Sequence, residues 1–437
     1  MPAIRLSVIP DLFHLHVSAP GHYPVLLETA SGSGWDILLA YPSEVLRFTA
    51  SQQMDFIAGF EARWQQAQSE KSSADAHLPF RGGWFVYLGY EFSQGLESSI
   101  PARPIAGDDF LLAALLRIPA AVMIDRNANC AWLFAEQTDL LVKMQDDIKS
   151  LAANRLPELN LSSLVEEPEQ IFLDGVAKIQ RYIAAGDVFQ VNLSRRWRGC
   201  LEHAASGPAL YQVLRRHNPA PFAGIADLGA GFVIVSSSPE RLAQVKSGQI
   251  LTRPIAGTHP RHPDPVQDSQ IRADLITHPK EQAEHVMLVD LERNDLGRVC
   301  LPGSIRVDEL MVVVSYPHVH HIESTVSGQL RAAISPLDVI RALFPGGTIT
   351  GCPKIRTMQI IRELESSARG AYTGSMGYIN LDGDLDLNIL IRTMTLTGRN
   401  LTFSAGAGIV ADSEPARELH ETRAKARGML CALGLPS

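Results

Sequence analysis

Two stretches of this 437-residue chain carry the same acidic spacing. KEQAEHVMLVDLERND, just after Pro279, holds Glu281 and Glu284 three residues apart, and ARELHETRAKA, just after Pro415, holds Glu418 and Glu421. On a helix, an i, i+3 pair shares one face. Each pair alone also reads as an ordinary acidic first turn that offsets the helix dipole. If the two pairs meet in space, four carboxylates repel one another unless a cation sits between them. Oxygen-only donors select a hard ion, and Mg2+ is the usual companion of a small acidic substrate.

Other residues suit an anion. Arg392 falls within the apolar run LNILIRTMTL, read as one strand. A buried arginine there needs a carboxylate or phosphate, whereas on a wet sheet face it needs none. SAGAG (404–408) reads as a turn after a strand, and Gly406 and Gly408 permit close backbone approach to an oxyanion if the turn does more than turn the chain. GGTITGCPK (346–354) places glycines and hydroxyls before a helix N-terminus, another anion site. Lys425 follows Glu421 by one turn, as an ion-pair partner or as a cation beside metal or substrate. His320 and His321 are neighbours in a strand-like segment and point to opposite faces, so at most one enters a site. TRPIAGTHPR (252–261) is a loop that either turns the chain or holds an anion. Together these describe a Mg2+ site with several carboxylate-binding elements, all beyond residue 170, for a small, multiply carboxylated substrate.

The elements that must position these groups mix strands and helices. YPVLLETA, DILLAYP, GGWFVYLGY, FLLAALLRI and AAVMIDR predict short strands, with a hairpin turn at 125–129. A charged helix is expected over about 136–154 and a polar linker over 156–170. Beyond it, helices are expected over 171–186, 208–217, from Pro279, from Pro353 and from Pro415. Strands around Asp382-Gly383 form a hairpin. Without strict βαβ alternation the class is α+β, with large mixed sheets and flanking helices. The expected organisation is a strand-rich region over 1–155 and a second region over 170–437.

Composition narrows the function classes. A 46% hydrophobic content suits a globular chain large enough to bury its own core. The net charge is −8 and no basic block of five occurs, which argues against nucleic acid. Five scattered cysteines without a Cys-x-x-Cys pair suit reduced thiols and a cytoplasmic location. Pro10, Asp11 and His14 interrupt the first apolar segment, so no signal peptide is expected, and no run of 18 apolar residues suggests a membrane span.

RPIAGT, KEQAEHVMLVDLERNDLGRV, FPGGTITGCPKIRTMQII, GSMGYINLDGDLDLNILIRTM and SAGAGIVADSEPARELHETRAKA resemble the chorismate-binding enzymes. The likeness is dense over 170–437 and thinner before it. It implies the composite fold of anthranilate synthase component I. It also implies that Glu284 and Glu421 coordinate Mg2+, with Glu281 and Glu418 supporting through water. Arg392, Tyr372 and the backbone amides of Gly406, Ala407 and Gly408 would hold the enolpyruvyl carboxylate of chorismate. Gly257 and Thr258 would line the ring, with Thr348 nearby. His321 would assist hydroxyl loss, and Lys425 would stand beside the metal helix.

Family members that add water resemble one another in a lysine base where this chain has Gln190, in FQVNLSRRW. Glutamine takes no proton at neutral pH, which points to ammonia as nucleophile. No Gly-x-Cys-x-Gly glutaminase elbow occurs, so the implied partner is a glutamine amidotransferase subunit. QVNLS, HNPAPFAG, PHVHHIES and GYEF are more like the aminodeoxychorismate synthases of folate biosynthesis, which aminate chorismate to 4-amino-4-deoxychorismate. Ala256 departs from their loop lysine and matches anthranilate synthases, the alternative; an isochorismate-type synthase and a non-catalytic subunit rank below. LLETA, with Leu27, Glu28 and Thr29, resembles the family's tryptophan-binding element, or is a plain edge strand.

Overall fold

The computed structural model describes residues 3–30, 32–67, 75–101, 111–151, 156–203, 207–315 and 319–435. Among these residues two large sheets form, one of twelve strands and one of ten, and every strand pairing is antiparallel. The α+β class holds, although the sheets are antiparallel rather than mixed. The first sheet runs Ala3–Leu6, Cys130–Ala135, Ala120–Asp125, Trp35–Ala40, Val25–Glu28, Phe222–Asp227, Phe232–Ser238, Thr393–Thr397, Asn400–Ile409, Gln190–Leu201 and Gly351–Cys352, with Leu161–Glu166 as a further partner of Gln190–Leu201. The second runs Ile255–Pro260, Val319–Gln329, Gln249–Thr252, Arg241–Lys246, Leu385–Asn388, Ser375–Asn380, Gly83–Leu88, Leu111–Ile118 and Glu44–Thr49, with Arg306–Ser315 as a further partner of Val319–Gln329. Both sheets therefore combine strands from before residue 136 with strands from after residue 189.

The period of two along each strand builds the layers. Val25, Ile37 and Leu39 of the first sheet meet Phe85, Tyr87 and Leu116 of the second in one buried cluster between them. Leu26, Leu38 and Val122 point the other way, under the helices Thr138–Lys149, Gly207–His217 and Pro415–Ala432. Trp84, Val86 and Leu88 pack outward under Gln53–Ala67, Pro279–Gly297 and Pro336–Leu343. The acidic helix Pro415–Ala432 thus packs on the first sheet, and Pro279–Gly297 packs on the second while also touching Gly351–Cys352 of the first.

Three expectations change. The segment read as a linker contains a strand, Leu161–Glu166, paired with Gln190–Leu201; its exposed, weakly apolar alternation hides it in the sequence. Val25–Glu28 is an interior strand between Trp35–Ala40 and Phe222–Asp227, not an edge. The run LNILIRTMTL is two strands: Leu385–Asn388 belongs to one sheet and Thr393–Thr397 to the other. Residues 389–392 cross between the sheets. A run this rich in buried apolar residues carries no mark of that change, because both halves are buried.

Candidate functional site

The crossing 389–392 does not run alone. Phe232–Ser238 lies in the first sheet and Arg241–Lys246 in the second, so Pro239 and Glu240 make the reverse crossing. The two crossings are stitched together: Ser237 N–H donates to Arg392 O at 3.1 Å and Ile389 N–H to Glu240 O at 3.0 Å. Arg392 sits there at φ +50°, a left-handed conformation that costs a non-glycine residue free energy unless its surroundings impose it. Glu240 and Arg392 are thereby brought to one cavity of about 110 Å3, which Asn192, His321, Thr348, Tyr372, Gly406 and Lys425 also line. His321, Thr348, Tyr372, Arg392, Gly406 and Lys425 are all residues singled out from the sequence. Glu240 is not, although the clue was present: a polar SSSPE ends an apolar strand.

Glu240 is 3% exposed and accepts a hydrogen bond from Thr348 Oγ1 at 2.7 Å. Burial pushes its carboxyl up to about 8, against the lowering effect of Thr348, and the nearby Glu292 adds to the rise. At neutral pH it is a carboxylic acid with a proton to give.

His321 is almost fully buried, and its partner His320 points the other way, to Asp268 and Ser315, as the strand period requires. His321 Nδ1 lies 3.3 Å from Gly257 O, and Nε2 lies 3.3 Å from Arg392 Nη2. Guanidinium only donates, so Nε2 accepts and Nδ1 carries the hydrogen. Burial, then Arg392, depresses His321 to about 3, so the imidazole is neutral at physiological pH.

SAGAG is not a turn but the end of the strand Asn400–Ile409, opposite Gln190–Leu201. Its second neighbour, Thr393–Thr397, pairs only as far as Phe403. Residues 404–409 therefore keep strand partners on one side only, and the amides on the other side have no ladder. Lys425 Nζ donates to Gly406 O at 3.2 Å and pairs with Glu421 Oε1 at 2.7 Å, the i, i+4 ion pair expected of it. A Cβ on Gly406 would stand 2.5 Å from Asn192 Oδ1 and 2.7 Å from Tyr372 Oη. Tyr372 is held by the guanidinium of buried Arg369, which also donates to Asn192 O at 2.7 Å. Ala407 faces away, into the cluster with Phe172 and Val191.

The carboxylates lie beside this cavity. Glu284 Oε1 accepts from Gln190 Nε2 at 2.7 Å and would stand 3.4 Å from a Cβ on Gly408. Burial pushes Glu284 up to about 7, and the charges of Glu281 and Glu421 push the same way, so three of the four glutamates are within electrostatic reach of one another. Glu281 Oε2 would stand 2.9 Å from a Cβ on Gly257, whose φ of +68° makes the bulge between Ala256 and Thr258. Glu418 is buried on the other acidic helix. Among the described residues, no three of His, Cys, Asp and Glu close into a metal-binding group. Glu284 and Glu421 are instead held by Gln190 and Lys425. The donor chemistry nonetheless fits a hard divalent cation: mutually repelling carboxylates on two rigid helices, one of them buried enough to resist ionisation.

Thr258 lies opposite His321 in the ladder; its side chain is outside the described residues. Ala256 is buried, paired with Ile322. Leu27, Glu28 and Thr29 stand elsewhere, on a separate cavity of about 700 Å3 shared with Pro219, Pro221 and Met376. Glu28 already accepts from Tyr211 Oη at 2.5 Å and pairs with Arg215 at 3.2 Å. Pro239 and Ile255 line both cavities and form the wall between them.

The sequence matches the family described as chorismate binding enzyme over residues 23–431. It is 48% identical over 376 residues to an anthranilate synthase component 1 of Streptomyces coelicolor, covering 81% of this chain and 73% of that one. It is 40% identical over 372 residues to an aminodeoxychorismate synthase component 1 of Bacillus subtilis, covering 82% and 78%. The crystal structure of anthranilate synthase component I from Streptococcus pneumoniae is similar at a TM-score of 0.78 and 30% identity, covering 90% of this chain and 92% of that one. The chain belongs to the chorismate-binding enzyme family.

Proposed function

We propose that this member of the family aminates chorismate at C4 to 4-amino-4-deoxychorismate, using Mg2+ and ammonia from a glutamine amidotransferase subunit, for folate biosynthesis. The observation that carries the reaction class is that a proton-bearing Glu240, Arg392, Tyr372 and a one-sided glycine strand surround one cavity, while Gln190, on the strand beside it, offers no base. Glu281, Glu284, Glu418 and Glu421 would hold the cation, which when bound supplies positive charge for the ring carboxylate. Arg392, Tyr372 and the open amides of Gly406 and Gly408 receive the enolpyruvyl carboxylate, while the Ala407 amide is turned into the ladder with Leu193. Glu240 gives its proton to the departing hydroxyl. Neutral His321 ties Arg392 to the bulge at Gly257.

The C4 assignment rests on the likeness of QVNLS, HNPAPFAG, PHVHHIES and GYEF to aminodeoxychorismate synthases. The second reading, anthranilate plus pyruvate, is favoured by Ala256, which has no nucleophile to offer the ring, and by the Streptomyces relative. Incubation with chorismate, Mg2+ and ammonium separates them. Aminodeoxychorismate, converted to p-aminobenzoate only when its lyase is added, supports the first; anthranilate formed without a lyase establishes the second. Tryptophan is proposed as a ligand of the larger cavity.

A further inference from the structure

Behind Glu240 stands a second buried carboxyl. Glu292, on the helix Pro279–Gly297, is 5% exposed and does not line the small cavity. It accepts a hydrogen bond from Thr252 Oγ1 at 3.0 Å and another from the Gly347 amide. Glu240 accepts from Thr348 Oγ1 at 2.7 Å and from the Ile255 amide. The two carboxyls are therefore held by the same two segments, 252–255 and 347–348, each of which gives one donor to each carboxyl. Gly347 permits the close approach: a Cβ there would stand 2.6 Å from the Leu291 side chain and 3.1 Å from Glu292 Oε1. Thr252 is buried too, so the bridge lies in the interior.

The charges around Glu240 oppose one another. Arg392 and Lys425 line its cavity with neutral His321, and nearby cations draw a carboxyl toward its charged form. An acid placed there keeps its proton only if negative charge faces it from the other side. Two carboxyls do so, Glu292 and Glu323. Glu323 is paired with Arg253 at 2.6 Å, which cancels most of its charge. Both donors to Glu292 are uncharged, and Lys354 beyond it pairs with Asp295 instead. Burial raises Glu240 most, and of the two facing carboxyls Glu292 adds more than Glu323. Burial and then Asp295 raise Glu292 as well, while Lys354 favours its carboxylate.

We infer that Glu292 is a positioning residue for the acid: through Thr252 and Gly347 it holds the two segments that orient Glu240, and its charge keeps the Glu240 proton in place beside Arg392 and Lys425. The inference rests on Glu240 as the proton donor and holds whichever ring carbon is aminated. No bond is made or broken at Glu292. It acts only through its neighbour.

The test follows kcat/KM for chorismate from neutral to alkaline pH, using the full chain, Mg2+ and free ammonia held constant. Carboxyl infrared absorption of the substrate-free protein, assigned by its loss in Glu240→Gln, reads the same titration without turnover. Glu292→Gln keeps an acceptor for Thr252 or Gly347 and removes the charge. It is expected to move the alkaline limb and the carboxyl titration down by about half a pH unit or more. Glu292→Met, of similar length and suited to a helix, carries the same expectation should the glutamine variant fail to fold. Glu292→Asp, which restores the charge, is expected to return both toward the wild type. A titration that stays in place or moves up in the neutral variants overturns the inference, as does a loss of rate with the limb unmoved. A limb that survives in Glu240→Gln overturns the acid assignment itself, whatever Glu292 does.

Discussion

Arg392 Nη2 lies 3.3 Å from His321 Nε2, so a cation from one crossing between the sheets is held by a neutral imidazole from the strand Val319–Gln329 of the second sheet. The contact fixes the tautomer of His321 and lowers its proton affinity. It also keeps the guanidinium pointed into the cavity, ready for a carboxylate.

Removing that cation should free the histidine. In Arg392→Met the His321 pKa is expected to rise from about 3, followed by imidazole NMR across a pH titration. The same variant should raise the KM for chorismate about tenfold, the effect of losing roughly 1.4 kcal/mol from a half-buried charged contact. Arg392→Lys should restore little of it, because ammonium lacks the planar fork. A chorismate KM unchanged in Arg392→Met would remove Arg392 from substrate binding.

Glu240 predicts an alkaline limb. With its carboxyl near 8, the acid form dominates at pH 7 and is lost above pH 8, so kcat/KM should fall through that range. Glu240→Gln should lower kcat about a hundredfold or more and abolish the limb, with little change in the chorismate KM.

The same carboxyl predicts the pH dependence of stability. Its folded value lies above its unfolded value, so its contribution is complete below about pH 4.5 and is lost as pH rises through about 8. Glu240→Gln should therefore raise Tm at pH 8 relative to the wild type, and the gain should shrink at pH 5. Scanning calorimetry at the two pH values checks this; a gain that is larger at pH 5 would contradict it.

Metal removal should stop turnover. Treatment with EDTA is expected to abolish product formation, and Mg2+ to restore it. Glu284→Ala and Glu421→Ala should each raise the Mg2+ concentration for half-maximal rate about tenfold or more. Wild-type rates from both variants would show that the acidic helices hold no cation.

Gly406→Ala should be far costlier than its single methyl suggests. The added carbon meets Asn192 and Tyr372 in a space neither can vacate, since Arg369 holds the Tyr372 ring. The expected result is at least an approximately tenfold loss of kcat/KM with Tm lowered by only a few degrees. Gly398→Ala, with open space around it but φ of +61°, serves as the control whose effect is on stability alone.

Tryptophan should raise the Tm of the protein in proportion to the logarithm of its concentration if it occupies the cavity behind Leu27, Glu28 and Thr29. A Tm that does not respond removes tryptophan from the reading of that cavity.

Local pattern in the sequence determined the helix starts at Pro279 and Pro415, the Glu-x-x-Glu faces on them, the opposed directions of His320 and His321, and the hairpins at 125–129 and 382–383. Each depends on neighbours within a few residues, through backbone period, proline geometry and turn chemistry. The same reasoning placed Arg392 wrongly, inside one strand, because burial on both sides of a crossing looks the same as burial along a strand. It passed over Glu240 because a single glutamate becomes an acid only when folding removes its water. Tertiary structure decided what meets what. Arg392 and His321 are 71 residues apart in the chain, Gln190 and Glu284 are 94 apart, and Thr348 and Glu240 are 108 apart. Those contacts follow from the register of two antiparallel sheets and from the two places where the chain passes between them. No local spacing encodes that register, because it is set by burying both faces of both sheets at once.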